Sequence, residues 1–343
     1  MLEACIQHIM DYQSLQIDEY ARSCIQPRPL SISTLRPTVP WKSRGLLLRL
    51  PDEILESIVE YLSQPDLSSL ALVNSDCRLL ARPFQFCDIK LETGSSRILQ
   101  LLTNQSDMLR SPPIAPFVRV VRLHRRPSEG LEDESEPEVL ESGRLRDLLS
   151  SLENLVALSY RNEHKEPVLL DLETVLAISS SSIRHLHLSN VRFTLEKKTL
   201  SYAADMRGGR IKWQLETLIL DKVEVHTAYL LARRSSQTLR CFTLERNIQY
   251  EGLANDGHSC SFARGASFPR LTTLCIAHGP SMPSAYLTSF QKSPKLENIH
   301  YLGQMDHAFQ LLNTVPSLKH CQFTLGFVDM LPFLRYKFIS ANT

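Results

Sequence analysis

What the chain lacks narrows its function first. Glycine is scarce, at 12 of 343 residues, which leaves few places where backbone could wrap a phosphate. Neither a phosphate loop (G-x-x-x-x-G-K-S/T) nor a nucleophile elbow (G-x-S-x-G) is present, and there is no H-E-x-x-H pair or Cys/His finger. The eight cysteines, Cys5, Cys24, Cys77, Cys87, Cys241, Cys260, Cys275 and Cys321, form no CxxC pair. They read as reduced thiols, not as a disulfide framework or zinc site. No apolar run approaches the ~18 residues of a membrane span. Charge of one sign is missing too: 38 basic against 37 acidic residues give a formal +1, so no global field draws the chain to nucleic acid or an acidic membrane. The opening MLEACIQHIMDYQ lacks the charged-then-apolar order of a secretory signal, and Glu3, Asp11, Asp18 and Glu19 disfavour a mitochondrial transit peptide. The expected location is cytoplasmic and/or nuclear, with no cofactor and no metal.

What is present divides into four stretches. Residues 1–45 read as a flexible tail and linker. Residues 1–22 have the spacing of an amphipathic helix (Leu2, Ile6, Ile9), while 26–44 carry four prolines and no helical period. A docking motif and a poorly ordered tail are both readings of this stretch. Residues 46–85 predict three short helices. Pro51 suits a first turn, with Asp52 and Glu53 complementing the positive helix end. Ile54, Leu55, Ile58, Val59 and Leu62 then sweep a wide apolar arc that Tyr61 broadens. Ser63-Gln64-Pro65 stops this helix, Asp66 is a candidate cap for the second, and Asn74 or Ser75 for a third that ends at Pro83. A unit of about 40 residues buries little surface alone, so such arcs need a partner. That partner is either the following domain or another protein.

From Phe86 an apolar triplet with 1-4-6 spacing recurs nine times: Phe86/Ile89/Leu91, Val118/Val121/Leu123, Leu155/Leu158/Tyr160, Ile183/Leu186/Leu188, Leu215/Leu218/Leu220, Leu239/Phe242/Leu244, Leu271/Leu274/Ile276, Leu296/Ile299/Tyr301 and Leu318/Cys321/Phe323. Helix-like stretches at 95–109, 139–151, 169–178, 226–234 and 304–313 lie between them. One strand and one helical return per unit is the pattern of an irregular leucine-rich-repeat-like α/β solenoid over residues 86–325. The alternative is an ordinary α/β domain with alternating strands. The asparagine expected three residues after position 6 is mostly missing; Val191 and Val223 stand there. An acidic, turn-rich stretch at 128–138 and another loop at 251–267 interrupt the array. Residues 326–343 are expected to cap the last strand through Phe327, Leu331, Phe333 and Phe338.

The order Leu-Pro-x-Glu-Ile-Leu, a helix ending in Tyr-Leu, then Asp-Leu, Leu-x-Leu-Val and Arg-Leu-Leu-Ala resembles the F-box over roughly residues 46–90. The third helix departs from many members in reading Asn74-Ser75-Asp76-Cys77. The resemblance implies a fold of a small three-helix F-box unit followed by the repeat array. It also implies docking to the adaptor subunit of an SCF-type cullin–RING ubiquitin ligase, through Leu50, Pro51, Ile54, Leu55, Ile58, Leu67 and Val73. The chain would then be a substrate receptor without catalytic residues, acting by proximity.

The repeat register supplies a second candidate surface. With positions 4 and 6 inward, positions 3, 5 and 7 line the concave face. Arg122, His124, Arg161, His185, His187, Asp221, Glu245, His300 and His320 are the substrate-binding candidates there. His185 and His187 point the same way, but their neighbours Ala157, Ser159, Thr217 and Ile219 make poor metal ligands. Cys275 and His300 fall at position 5 of adjacent strands, where they could meet as a Cys–His pair. Three functions are therefore weighed: a ubiquitin-ligase substrate receptor, an adaptor-bound scaffold working without a cullin, and a Cys/His enzyme.

Overall fold

The computed structural model describes residues 28–31, 45–92, 114–125, 142–171, 173–174, 177–178, 182–193, 213–223, 225–245, 267–277, 289–290, 292–303, 319–325 and 334–339. The readings for residues 1–27, 32–44, 95–109, 128–138, 251–266, 304–313 and 326–333 lie outside these. The chain forms two compact units. The first comprises Met1–Leu91, Ser95–Arg122 and Ser151–Ala157, the second Glu92–Gly94, Leu123–Ser150 and Leu158–Thr343.

In the first unit, three helices follow a short 3-10 turn at Leu47–Arg49. They are α1 (Asp52–Glu60), α2 (Gln64–Val73) and α3 (Ser75–Gln85). Pro51 precedes α1 instead of opening it. Its backbone is extended, and its carbonyl accepts the first helical bonds from the Ile54 and Leu55 amides at 3.0 Å each. Ser63 caps α2 by accepting from the Asp66 amide at 3.4 Å, with Pro65 in the first turn. Asp66 therefore sits inside the helix, because a serine three residues earlier reaches the orphan amide first. Asn74 caps α3, its Oδ1 accepting from the Cys77 amide at 2.8 Å.

The third helix does not stop at Pro83 but continues to Gln85. Proline's fixed φ suits a helix, and here it forfeits one hydrogen bond near the end. The turn is held by burial of Ala81, Arg82 and Pro83, and the Phe86 amide closes it on the Arg82 carbonyl at 3.0 Å. Leu48, Leu55, Val59, Leu67, Cys77, Leu80 and Ala81 form the core of this unit, with Leu62, Leu70, Ala71 and Phe84 packed around them.

The nine triplets all fall on or just ahead of strands. These are β1 (Asp88–Glu92), β2 (Val120–Arg125), β3 (Ala157–Asn162), β5 (His185–Ser189), β7 (Thr217–Asp221), β8 (Cys241–Glu245), β9 (Thr273–Ala277), β10 (Asn298–Gly303) and β11 (His320–Leu325). In the second unit β5, β7, β8, β9, β10 and β11 pair in parallel, in that order. The register places position 4 against position 4 throughout: Leu186, Leu218, Phe242, Leu274, Ile299 and Cys321 are successive Cα partners. Position 1 turns inward where it is described, with Leu155, Leu239, Leu271 and Leu296 at 0 % exposure.

One backbone device repeats at the strand starts. A single carbonyl accepts two consecutive amides of the next strand at Cys87, Arg119, Arg184, Glu216, Arg240 and Thr272. These are all position 2. Side chains at the same position add a charged ladder: Arg184 Nη1 donates to Glu216 at 2.8 Å, Arg240 lies 3.5 Å from Glu216, and Lys319 meets Glu297 at 2.8 Å. Exposed pairs of this kind contribute about 0–1 kcal/mol each, so they favour register more than stability.

Two further helices are described, α4 (Ser142–Ser151) and α5 (Val225–Arg234). Phe290 stacks on Phe242 (centroids 5.5 Å) and Phe268 (4.8 Å) and takes the edge of Tyr229 from α5 (6.3 Å). The Tyr229 hydroxyl is 2.7 Å from Ser289 Oγ. One expected element differs. The helix expected over 169–178 begins as strand β4 (Val168–Leu170), which pairs in parallel with β6 (Val191–Phe193) in a separate two-stranded sheet. Alternation decides it: Val168 and Leu170 are buried while Leu169 is exposed. At the far end, β12 (Leu334–Ile339) pairs antiparallel with β11, so a hydrogen-bonded strand covers that edge.

The turn asparagines are present after all, one residue earlier than expected. Asn162 and Asn190 lie two residues after position 6 and are 1 % and 3 % exposed. Asn162 Nδ2 donates to the Glu166 and Asn190 carbonyls at 2.7 and 3.2 Å, and its Oδ1 accepts from the His164 amide at 3.1 Å. Asn190 adopts φ 53, and its amide donates to the Asp221 carbonyl at 2.8 Å. Lys222, at the same place after β7, adopts φ 51. Asparagine tolerates this left-handed backbone better than most residues.

Candidate functional site

Two surfaces carry the sequence-derived candidates. On the helical unit, the seven expected adaptor contacts separate by exposure. Leu50 (38 %), Ile54 (48 %), Ile58 (38 %) and Val73 (67 %) face solvent, and Pro51 is exposed with them. Leu55 and Leu67 do not: at 0 % and 3 % they belong to the core that holds the helices together. They pack beneath the exposed residues. Ile54 and Ile58 are spaced by four, so they share one face of α1, with Leu50 in the extended chain just ahead of it.

Five further apolar side chains are exposed around the unit: Leu46 (81 %), Leu47, Tyr61 (90 %), Leu72 (80 %) and Leu79. The wide arc on α1 pointed to Tyr61. Leu46, Leu47, Leu72 and Leu79 had no such signal, because periodicity does not say which side of a short helix meets the core. Solvent-exposed leucines scattered singly need no account, but a stripe with flanking neighbours on one small unit marks an interaction surface. The departure at Asn74-Ser75-Asp76-Cys77 is structural: Asn74 is the cap, and Asp76 and Cys77 are buried in the first turn.

On the sheets, several candidates contact neighbouring polar side chains. Arg122 donates to both Asp88 carboxylate oxygens at 3.0 Å. His124 Nε2 and Arg161 Nε both approach Glu163 Oε1, at 3.0 and 3.1 Å. His185 Nδ1 lies 3.1 Å from Thr217 Oγ1, and His187 Nδ1 lies 3.0 Å from Ser159 Oγ. Burial holds the His185 pKa below its ordinary 6.5, against the opposing pull of Glu216. Both histidines therefore meet the hydroxyl neighbours that the register placed beside them.

The face expected to be open is covered along its middle. His187 (8 %), Asp221 (5 %) and Glu245 (7 %) are buried, as are Thr217, Ile219, Cys241, Thr243, Thr273 and Cys275 on the same face. Asp221 accepts from Ser189 Oγ at 2.8 Å and sits opposite Glu245 in register. Asp221 and His187 are thus engaged in internal hydrogen bonds. Arg161 and His124 keep partial exposure, and His300 is exposed. His320 is described only as backbone, paired with Asn298 and Ile339.

Cys275 and His300 are register partners on β9 and β10. The surroundings of the thiol disfavour its thiolate. Burial pushes the Cys275 thiol up to about 12, with Glu245 adding to the rise, and the reactive species is the thiolate. Among the described residues, no three His, Cys, Asp or Glu side chains are placed to hold a metal ion. No helix among them is long and apolar enough to cross a membrane.

Three short helices around one small core, two of them capped by side chains, with apolar side chains left outside, fit a protein-docking module. Residues 47–88 match the family model of the F-box domain. The chain thus carries an F-box domain, the adaptor-binding module of SCF-type substrate receptors in general, joined to an α/β region with a mostly parallel sheet. No curated protein matches the chain.

Proposed function

We propose that this chain is the substrate-recognition subunit of an SCF-type cullin–RING ubiquitin ligase. Leu50, Pro51, Ile54, Ile58 and Val73 dock the adaptor subunit, and a protein substrate is held by the repeat region, read as an irregular leucine-rich-repeat-like solenoid. The observation that carries this reading is the coincidence of the F-box match with an unburied apolar stripe on α1. Exposure makes Arg122, His124, Arg161, His185 and His300 the strongest of the substrate candidates. The chain then contributes no chemistry of its own; it holds a substrate close to a ubiquitin-charged enzyme.

Co-purification with the adaptor tests the first half. Wild type should retain the adaptor, and Ile54→Ser/Ile58→Ser should lose it while keeping its circular dichroism spectrum. Retention of the adaptor by that variant would overturn the docking assignment. Recovery of a cullin in the same complex separates the ligase reading from a scaffold that works without one.

A further inference from the structure

Ahead of the helical unit, the described segment Arg28–Ser31 makes a contact far away in sequence. Ser31 Oγ donates to Glu56 Oε1 on α1 at 2.7 Å, across 25 residues. Pro29, Leu30 and Ser31 are partly buried, while Arg28 is exposed. We propose that Ser31 is a phosphorylation site whose modification detaches this segment from α1.

The charge pattern around the contact supports this. Helix α1, DEILESIVE, holds four carboxylates and no basic residue. Asp52, Glu56 and Glu60 are spaced by four and make one acidic row, separate from the face of Ile54 and Ile58. A hydroxyl suits that row because it donates a proton to a carboxylate. A phosphate does the opposite, carrying about −1.5 to −2 charge at neutral pH and offering acceptors only. Modification therefore removes the donor and sets like charges against each other at hydrogen-bond distance. Arg28, three residues before Ser31 and exposed, supplies the upstream cation by which arginine-directed kinases choose substrates.

The step is a phosphoryl transfer from a nucleoside triphosphate, catalysed by a protein kinase. The bond between the γ-phosphorus and the bridging oxygen breaks, a bond from Ser31 Oγ to that phosphorus forms, and the hydroxyl proton is released with the nucleoside diphosphate. Partial burial of Ser31 means that the segment opens locally before it is modified.

The full chain, made with phosphoserine installed at position 31, is compared with wild type by amide hydrogen exchange. The Leu30 and Ser31 amides are expected to exchange about tenfold faster or more after modification, with α1 protection unchanged. Ser31→Ala, which loses the donor without adding charge, should give a smaller rise. Glu56→Gln in the phosphoserine chain should restore protection, because an amide donates to phosphate where a carboxylate repels it. Unchanged exchange in the phosphoserine chain, or no rescue by Glu56→Gln, would overturn the switch. Separately, an arginine-directed serine kinase with ATP should modify Ser31 in the native chain, read by mass spectrometry; absence of phosphate there would overturn the modification site. None of these readouts involves the adaptor, so their failure and that of the docking assignment are distinguishable.

Discussion

Leu55 and Ile58 stand one helical turn apart on α1 and do opposite jobs. Leu55 is fully buried with Leu80 and Ala81, so Leu55→Ala should cost about 2–5 kcal/mol in urea unfolding of the chain. Ile58 is 38 % exposed, so Ile58→Ser should shift stability by no more than about 0.5 kcal/mol. Cys275 invites a different measurement. With its folded pKa raised from 9.0 to about 12, the native chain holds this proton over a range where the unfolded chain releases it. The associated stability is complete below pH 9.0 and declines as pH rises toward about 12. The slope between those values should flatten in Cys275→Ala, and iodoacetamide should label Cys275 at pH 8 only in denaturant. Labelling in the native state would favour the Cys/His enzyme reading.

At the level of elements, single polar side chains start helices and close turns. Asn74 satisfies the Cys77 amide at the head of α3, so Asn74→Ala should lose about 1 kcal/mol while Asn74→Asp retains most of it. Asn162 has more at stake, because it serves two carbonyls and an amide from within a buried turn. Asn162→Ala should cost about 1–3 kcal/mol for stranding these groups, and exchange at the β4–β6 pair should rise with it. A result near zero at Asn162 would mean that water replaces the side chain. The helices and strands themselves followed from periodicity: 1-4-6 spacing predicted every strand start in the parallel sheet. The turns did not, because a left-handed residue such as Asn190 can sit at either of two neighbouring positions in sequence, and only the hydrogen bonds choose.

For the whole molecule, the proposed adaptor surface is apolar and the chain is nearly neutral. Adaptor affinity should therefore change by less than about threefold between 50 and 500 mM salt, since screening weakens charge contacts and leaves apolar burial intact. Titration calorimetry at the two salts checks this, and a steep loss would assign the contact to charges such as Asp52 and Glu53. The sheet face makes a different demand. Its middle is buried along β7 and β8, with all five residues of each strand covered. Polar candidates such as Asp221 and Glu245 are buried within the sheet, so the proposed substrate surface is confined to the candidates that keep exposure.

The sequence by itself determined the three-helix unit at 46–85, the family it resembles and the strand repeat, because apolar spacing is a local property that survives without coordinates. It also placed Cys275 beside His300 and His185 beside Thr217, since a shared repeat position means a shared rung. Only the tertiary structure decided which side chains are available. Whether Leu55 or Ile58 faces a partner, or whether Glu245 lines a surface or an interior, depends on what packs against each face, and that is fixed by residues far apart in the chain.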